Sequence, residues 1–146
     1  MIADTVIVGK NVQIGKSVTI WNYVVIGDNT KIGDNVKIGS NCDIGKEVTI
    51  GNNCLIQCHV TISNGATIGD EVFLGPKATI LNDKHIDGNI QPCTIENKAR
   101  IGGGTTILPG VTIGKSALVG AGSVVTKNVK AKKLVYGNPA REIRQI

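Results

Sequence analysis

An aliphatic side chain recurs at every sixth position over most of this chain. From Ile2 the beat runs through Val8, Ile14, Ile20, Ile26, Ile32, Ile38, Ile44, Ile50, Ile56, Ile62, Ile68, Leu74 and Ile80 without a miss. It resumes at Ile95 and continues through Ile101, Ile107, Ile113, Val119 and Val125. Two residues before each anchor stands a small or β-branched residue, as at Val12, Val18, Thr30, Val36, Cys42, Cys54, Ala66, Ala78, Cys93 and Ala99. A spacing of two puts both side chains on one side of a short strand. Twelve of the twenty residues that follow the anchors are glycine, which suits a tight turn after each strand.

Short strands that turn every six residues and always keep one face apolar bury that face by winding into a coil and stacking. Three hexapeptides close one triangular coil, so the pattern predicts an all-β parallel β-helix of six to seven coils, a prism roughly 30 Å tall. Such a prism is filled by stacked Ile and Val, which accounts for a chain whose only aromatic residues are Trp21, Tyr23, Phe73 and Tyr136. The gap from Ile80 to Ile95 is fifteen residues instead of six. Nine extra residues therefore lie within about 81–94, where Asn82, Asp83, Asp87, Gly88, Asn89 and Pro92 supply loop chemistry. The expected organisation is a β-helix over 1–127 with this extruded loop, followed by a short C-terminal tail over 128–146.

The formal net charge is +5, and Lys127, Lys130, Lys132, Lys133, Arg141 and Arg144 crowd the last twenty residues against one acid, Glu142. A cationic tail suits a phosphorylated small ligand; neither a nucleic-acid nor a membrane partner is expected. No secretory leader or membrane-spanning apolar run is recognisable, and four cysteines fit a reducing compartment, so a cytoplasmic location is expected. Cys54, Cys58 and His59 resemble a metal cluster in spacing alone. Cys54 occupies an inward slot of the repeat, so no metal is expected there.

Two regions carry polar chemistry. The first is Leu81-Asn82-Asp83-Lys84-His85-Ile86-Asp87, the one place where the coil is interrupted, and an interruption of this kind is commonly functional. The second is the glycine-rich run Gly102-Gly103-Gly104 and, one coil later, Gly120-Ala121-Gly122. Wall segments without side chains let an extended ligand approach and take backbone hydrogen bonds. Lys127 and Arg141 follow and are suited to phosphates.

The hexapeptide beat, with Gly120-Ala121-Gly122-Ser123-Val124-Val125-Thr126-Lys127 and Gly137-Asn138-Pro139-Ala140-Arg141, resembles the hexapeptide-repeat acyltransferase superfamily over nearly the whole chain. That resemblance implies a left-handed coil, a homotrimer, and acetyl-CoA in the groove between adjacent subunits. It also implies that Gly103, Ala121, Lys127 and Arg141 contact the coenzyme. Ala78-Thr79-Ile80-Leu81-Asn82-Asp83-Lys84 is similar to the Thr-Asn-Asp-Lys element of bacterial N-acetyltransferases that act on nucleotide-linked 3-amino sugars. Ile20-Trp21-Asn22-Tyr23 resembles their Ile-Trp-His-Phe element. The implied reaction is transfer of acetyl from acetyl-CoA to the amine of a nucleotide-linked amino sugar, with Asn82 as the key polar residue. This chain has His85-Ile86-Asp87 where those enzymes have a Pro-Arg run, and Asn22 where they have His, so the nucleotide is not assigned. Gamma-class carbonic anhydrases share the coil, but they need three histidines and the chain has two, His59 and His85.

An amide cannot act as a base. Asn82 can position the amine or donate to the developing oxyanion, and the proton then leaves through Asp83, through His85 or to the coenzyme thiolate. Two other readings remain at this point: a sugar O-acetyltransferase with His85 as general base, and a non-catalytic β-helix subunit.

Overall fold

Each hexapeptide forms a two-residue strand whose second residue is the aliphatic anchor, as in Thr49–Ile50 and Thr61–Ile62. The computed structural model describes all residues, Met1–Ile146. The chain winds as a left-handed parallel β-helix with three faces. The first face stacks Ile7–Val8, Val25–Ile26, Asp43–Ile44, Thr61–Ile62, Thr79–Ile80, Thr106–Ile107 and Val124–Val125. The second stacks Gln13–Ile14, Lys31–Ile32, Thr49–Ile50, Thr67–Ile68, Thr94–Ile95 and Thr112–Ile113. The third runs from Thr19–Ile20 through Lys37–Ile38, Leu55–Ile56, Phe73–Leu74 and Arg100–Ile101 to Leu118–Val119.

Register is set by like stacking on like: on the third face Ile20, Ile38, Ile56, Leu74, Ile101, Val119 and Val135 lie directly above one another. Every anchor from Ile20 to Val125 is buried, and each such side chain contributes about 1.5–3 kcal/mol by leaving water. The inward polar residues are satisfied by the next coil. Thr30 Oγ1 donates to the carbonyl of Gly45 at 2.8 Å, Cys42 Sγ to that of Gln57 at 3.0 Å, and Cys54 Sγ to that of Gly69 at 3.0 Å.

The glycines that follow the anchors do a different job from the one their position suggested. None of the twelve has a positive φ. The left-handed residue of each turn lies two positions further on and is often asparagine: Asn11, Asn29, Asn35, Asn41 and Asn53, with φ between 55° and 62°. Asparagine tolerates that region better than other residues with a side chain. The anchor-following glycines instead permit close stacking of the corners. A Cβ on Gly27 would stand 2.6 Å from the backbone of Gly45 and Lys46, and one on Gly39 2.6 Å from the Cys58 nitrogen.

The second corner, between the second and third faces, is zipped by side chains. Asp34 accepts from the Lys16 N–H, Asn52 from Asp34, Asp70 from Asn52, and Asn97 from Asp70, at 2.7–2.9 Å. The first corner, between the first and second faces, uses Asp28 and Asn64 in the same way toward Lys10 and Lys46. The third corner, between the third and first faces, has no such run of acceptors.

The expected insertion is where the beat placed it. Thr67 pairs with Thr94, twenty-seven residues on, whereas the other stacked strands before it are eighteen apart. The extra residues leave the first corner as a loop. Past Lys127 the coil does not stop at the expected boundary. Val129 bridges to Ile113 and is buried, Lys133–Gly137 pairs parallel with Leu118–Val119, and Ala140–Gln145 returns antiparallel across Lys133–Gly137. A hairpin therefore closes the C-terminal end of the prism. No helix is long and apolar enough to cross a membrane.

Candidate active site

Asn82 leaves the first face directly after Thr79–Ile80, and its position in the coil fixes what surrounds it. One coil back in sequence is Asn64, whose carbonyl accepts from Asn82 Nδ2 at 3.1 Å. A shallow recess of about 210 Å³ here is lined by Asp43, Thr61, Ser63, Asn64 and Asn82. These neighbours escaped the sequence reading, although subtracting the eighteen-residue coil from Asn82 points straight to Asn64.

The loop is self-braced. The Gln91 N–H donates to the Asn82 carbonyl at 2.6 Å, and Asp83 bridges antiparallel to Ile90. The Asp83 carboxylate accepts from the N–H groups of Gly88 at 2.9 Å and Asp87 at 3.3 Å. The Gly88 bond foremost, with help from Asp87, holds the Asp83 carboxyl below its ordinary range. A carboxylate so stabilised is a poor proton acceptor near neutral pH, so Asp83 is better described as the brace of the loop than as its base. Lys84, His85 and Ile86 are exposed beyond that brace, with Ile86 93% exposed at the tip.

The four candidate coenzyme contacts fall into two groups. Gly103 and Ala121 lie on the third corner in successive coils. The Gly122 N–H donates to the Gly103 carbonyl at 2.8 Å, and a Cβ on Gly103 would meet the Pro76 carbonyl oxygen at 3.1 Å. No acceptor in the chain receives the N–H of Gly103 or of Ala121. Lys127 and Arg141 instead line a cavity of about 310 Å³ at the closed end of the prism, with Lys130 as a third cation and Val125, Val129 and Val135 as its floor. Lys130 was legible in the sequence only as part of the basic run. Glu142, also at this cavity, is engaged by Lys133 at 2.7 Å.

Within one chain, Asn82 and the glycine track stand on opposite margins of the first face, roughly 20 Å apart at six residues of strand rise. Cys54 lies in the core at 1% exposure, whereas Cys58 and His59 are exposed on the third corner.

The sequence profile of the bacterial transferase hexapeptide family (six repeats) matches residues 29–64, 47–82 and 92–127, and a hexapeptide repeat of succinyl-transferase matches 5–33. The chain belongs to the bacterial hexapeptide transferase family. A provisionally named acetyltransferase of Schizosaccharomyces pombe is 39% identical over 84 residues, which is 51% of this chain and 41% of that protein. The chain thus spans less than half the length of the curated relatives it matches. Among solved structures, a hexapeptide-repeat-containing acetyltransferase from Vibrio cholerae superposes with a TM-score of 0.68 at 29% identity, covering 91% of this chain and 73% of that one. PerB from Caulobacter crescentus, in complex with CoA and GDP-perosamine, superposes with a TM-score of 0.62 at 23% identity, covering 98% of this chain and 56% of that one.

Proposed function

We propose that this hexapeptide transferase moves the acetyl group of acetyl-CoA to the amine of a nucleotide-linked amino sugar. The observation that carries the proposal is the loop that leaves the coil at Asn82 and sets its amide over a polar recess. The bare, hydrogen-bond-ready glycine track on the other margin of the same face supplies the coenzyme side. Family membership and the likeness to the Vibrio acetyltransferase support an acetyl-transfer reading. The reading is also supported by PerB, a longer chain part of which superposes on this prism and which is in complex with CoA and GDP-perosamine. Because the two margins do not meet within one chain, the reading requires a homotrimer in which Asn82 of one subunit faces Gly103 and Ala121 of the next.

In this reading the neutral amine attacks the thioester carbonyl. The new C–N bond forms, the C–S bond breaks, and the amine proton passes to a base or to the departing thiolate. The Asn82 amide, held by Asn64, orients the amine or donates to the oxyanion, an interaction worth about 2.7–4 kcal/mol at a comparable site. With Asp83 committed to the loop, His85 and the thiolate remain as proton acceptors.

The test follows free thiol release from acetyl-CoA across a panel of amino-sugar nucleotides. Asn82→Ala is expected to lower kcat by about 10²–10³-fold and His85→Ala by a few-fold only. A loss of 10³ or more on His85→Ala, with hydroxyl rather than amino sugars as acceptors, would establish an O-acetyltransferase in its place. Failure to bind CoA in calorimetry would leave a non-catalytic subunit, and a fully active monomer in sedimentation would refute the inter-subunit site.

A further inference from the structure

The third corner differs from the other two in chemistry as well as in bonding. From Trp21 to Gly122 it carries no acid, and neither do the outward positions of the third face from Thr19 to Leu118. The charges on this surface are Lys37, Lys77 and Arg100. The one carboxylate on that corner, Asp4, lies a coil below Asn22. Here Trp21 is 48% exposed and Leu55 39% exposed, and with Lys37, Ser40, Gln57 and Cys58 they line a recess of about 410 Å³. The N–H groups of Ser40 and Cys58 meet no acceptor in the chain, whereas the equivalent N–H groups of Asp34 and Asn52 on the second corner are received by side chains.

A half-exposed indole beside an aliphatic wall suits a planar ring. A lysine and free N–H groups in an acid-free surface suit an anion rich in acceptors. Those two demands together describe a nucleotide. We propose that this recess is the subsite for the nucleotide half of the acceptor, with the base stacked on Trp21 and the diphosphate beside Lys37. The assignment rests on the amino-sugar reading given above. Three coils separate Trp21 from Pro76, the level near which Asn82 stands and one coil short of the glycine track. At strand spacing that is about 14 Å, comparable to the reach of an extended nucleoside diphosphate bearing one sugar. The sugar amine would then arrive at the level of Asn82, while the coenzyme approaches along the same corner from the opposite end.

Trp21 is the sole tryptophan, so its emission reports on this recess and nowhere else. The full chain is titrated with UDP, dTDP and GDP in the absence of acetyl-CoA. Saturable quenching by at least one of them is expected. Lys37→Glu is expected to raise the half-saturating concentration at least about tenfold, whereas Lys31→Glu, on the second face, leaves it unchanged. Three results would overturn the assignment. One is emission that ignores all three nucleotides, including emission that responds only to protein concentration because a neighbouring subunit covers Trp21. Another is equal quenching by CoA alone, and the third is a Lys37→Glu response identical to wild type. Failure of the acetyl-transfer reading is separately visible. Quenching that persists in a chain unable to acetylate any amino sugar leaves the subsite standing and the reaction wrong, and transfer without quenching does the reverse.

Discussion

Replacing Gly27 by Ala pits two physical accounts of the repeat against each other, and they differ in sign. If the glycine after each anchor served the turn conformation, it would have a positive φ, and Gly27 does not. On backbone grounds alone Gly27→Ala should then stabilise by about 0.4–1 kcal/mol, because alanine restricts the unfolded chain. The stacked coils demand the opposite. A Cβ at 27 would lie 2.6 Å from both the Gly45 carbonyl carbon and the Lys46 nitrogen. Those atoms are backbone, locked by the Gly27 N–H bond to the Ile44 carbonyl at 2.8 Å, and cannot swing aside as a side chain would. Prying two coils apart by most of an ångström is an overpacking cost of about 1–3 kcal/mol. Net destabilisation of about 1–2 kcal/mol follows once the entropic gain is subtracted. Urea unfolding at matched protein concentration would report it as a lower midpoint with an unchanged slope. Gly122→Ala is the internal contrast. Its φ is 71° and nothing lies within 4 Å of its Cβ position, so only the left-handed penalty of about 1–2 kcal/mol applies. Gly122→Asn should recover most of it, since the chain itself places asparagine at such positions. A midpoint for Gly27→Ala equal to or above wild type would refute the stacking account.

Lys127→Ala and Arg141→Ala are each expected to raise the KM for acetyl-CoA about tenfold or more with little change in kcat, if the end cavity receives coenzyme phosphates; unchanged KM in steady-state kinetics would remove that cavity from the site. Asp83 has its carboxyl pKa lowered in the folded loop, so its contribution is present above its unfolded pKa near 3.8 and is lost as pH falls through the lower folded value. Asp83→Asn should mimic that loss at neutral pH as faster hydrogen exchange at the Gly88 and Asp87 amides, and unchanged exchange would show that the loop holds without its brace. Burial raises the Cys42 thiol to about 11 and pushes Cys54 and Cys93 upward as well. Iodoacetamide at neutral pH should therefore modify the native chain once, at exposed Cys58, and mass spectrometry showing a second native adduct would contradict the packed interior.

The coil was legible because its cause is local and repeated: one buried anchor per six residues, with a partner two before it. The same reading put the insertion between Ile80 and Ile95, since a nine-residue surplus cannot be absorbed without leaving the wall. The turns were less legible. Glycine after the anchor and asparagine two residues later both look like turn chemistry in sequence. Only the stacking of one corner on the next separates a residue needed for its missing side chain from one needed for its φ. The end of the chain was less legible for a related reason. Val129 and Val135 fall outside the six-residue beat, yet they stack on Ile113 and Val119 through the same parallel pairing, so the prism extends past the last regular hexapeptide.

The candidate site was legible residue by residue but not as an arrangement. Asn82 announces itself by where the beat fails, and Gly103 and Ala121 by the loss of side chains from the wall. A solenoid period fixes heights and faces, however, and says nothing about which margin of one prism meets another. The three corners nevertheless differ in a way that constrains the answer. The second is sealed by Asp and Asn side chains that take its N–H groups in four successive coils, and the first is sealed in alternate coils at Lys10 and Lys46, so a ligand there would have to displace bonds of 2.7–2.9 Å. The third leaves the N–H groups of Ser40, Cys58, Gly103 and Ala121 unclaimed, with Pro76, which has no N–H, at the level between Cys58 and Gly103. An unclaimed donor is tolerated at a corner that water or a ligand reaches and is costly where it is buried. A fold that could have sealed this edge with the residues it uses on the second corner leaves it open along most of its length, and the proposed transfer needs such an open edge for its two substrates to lie in line.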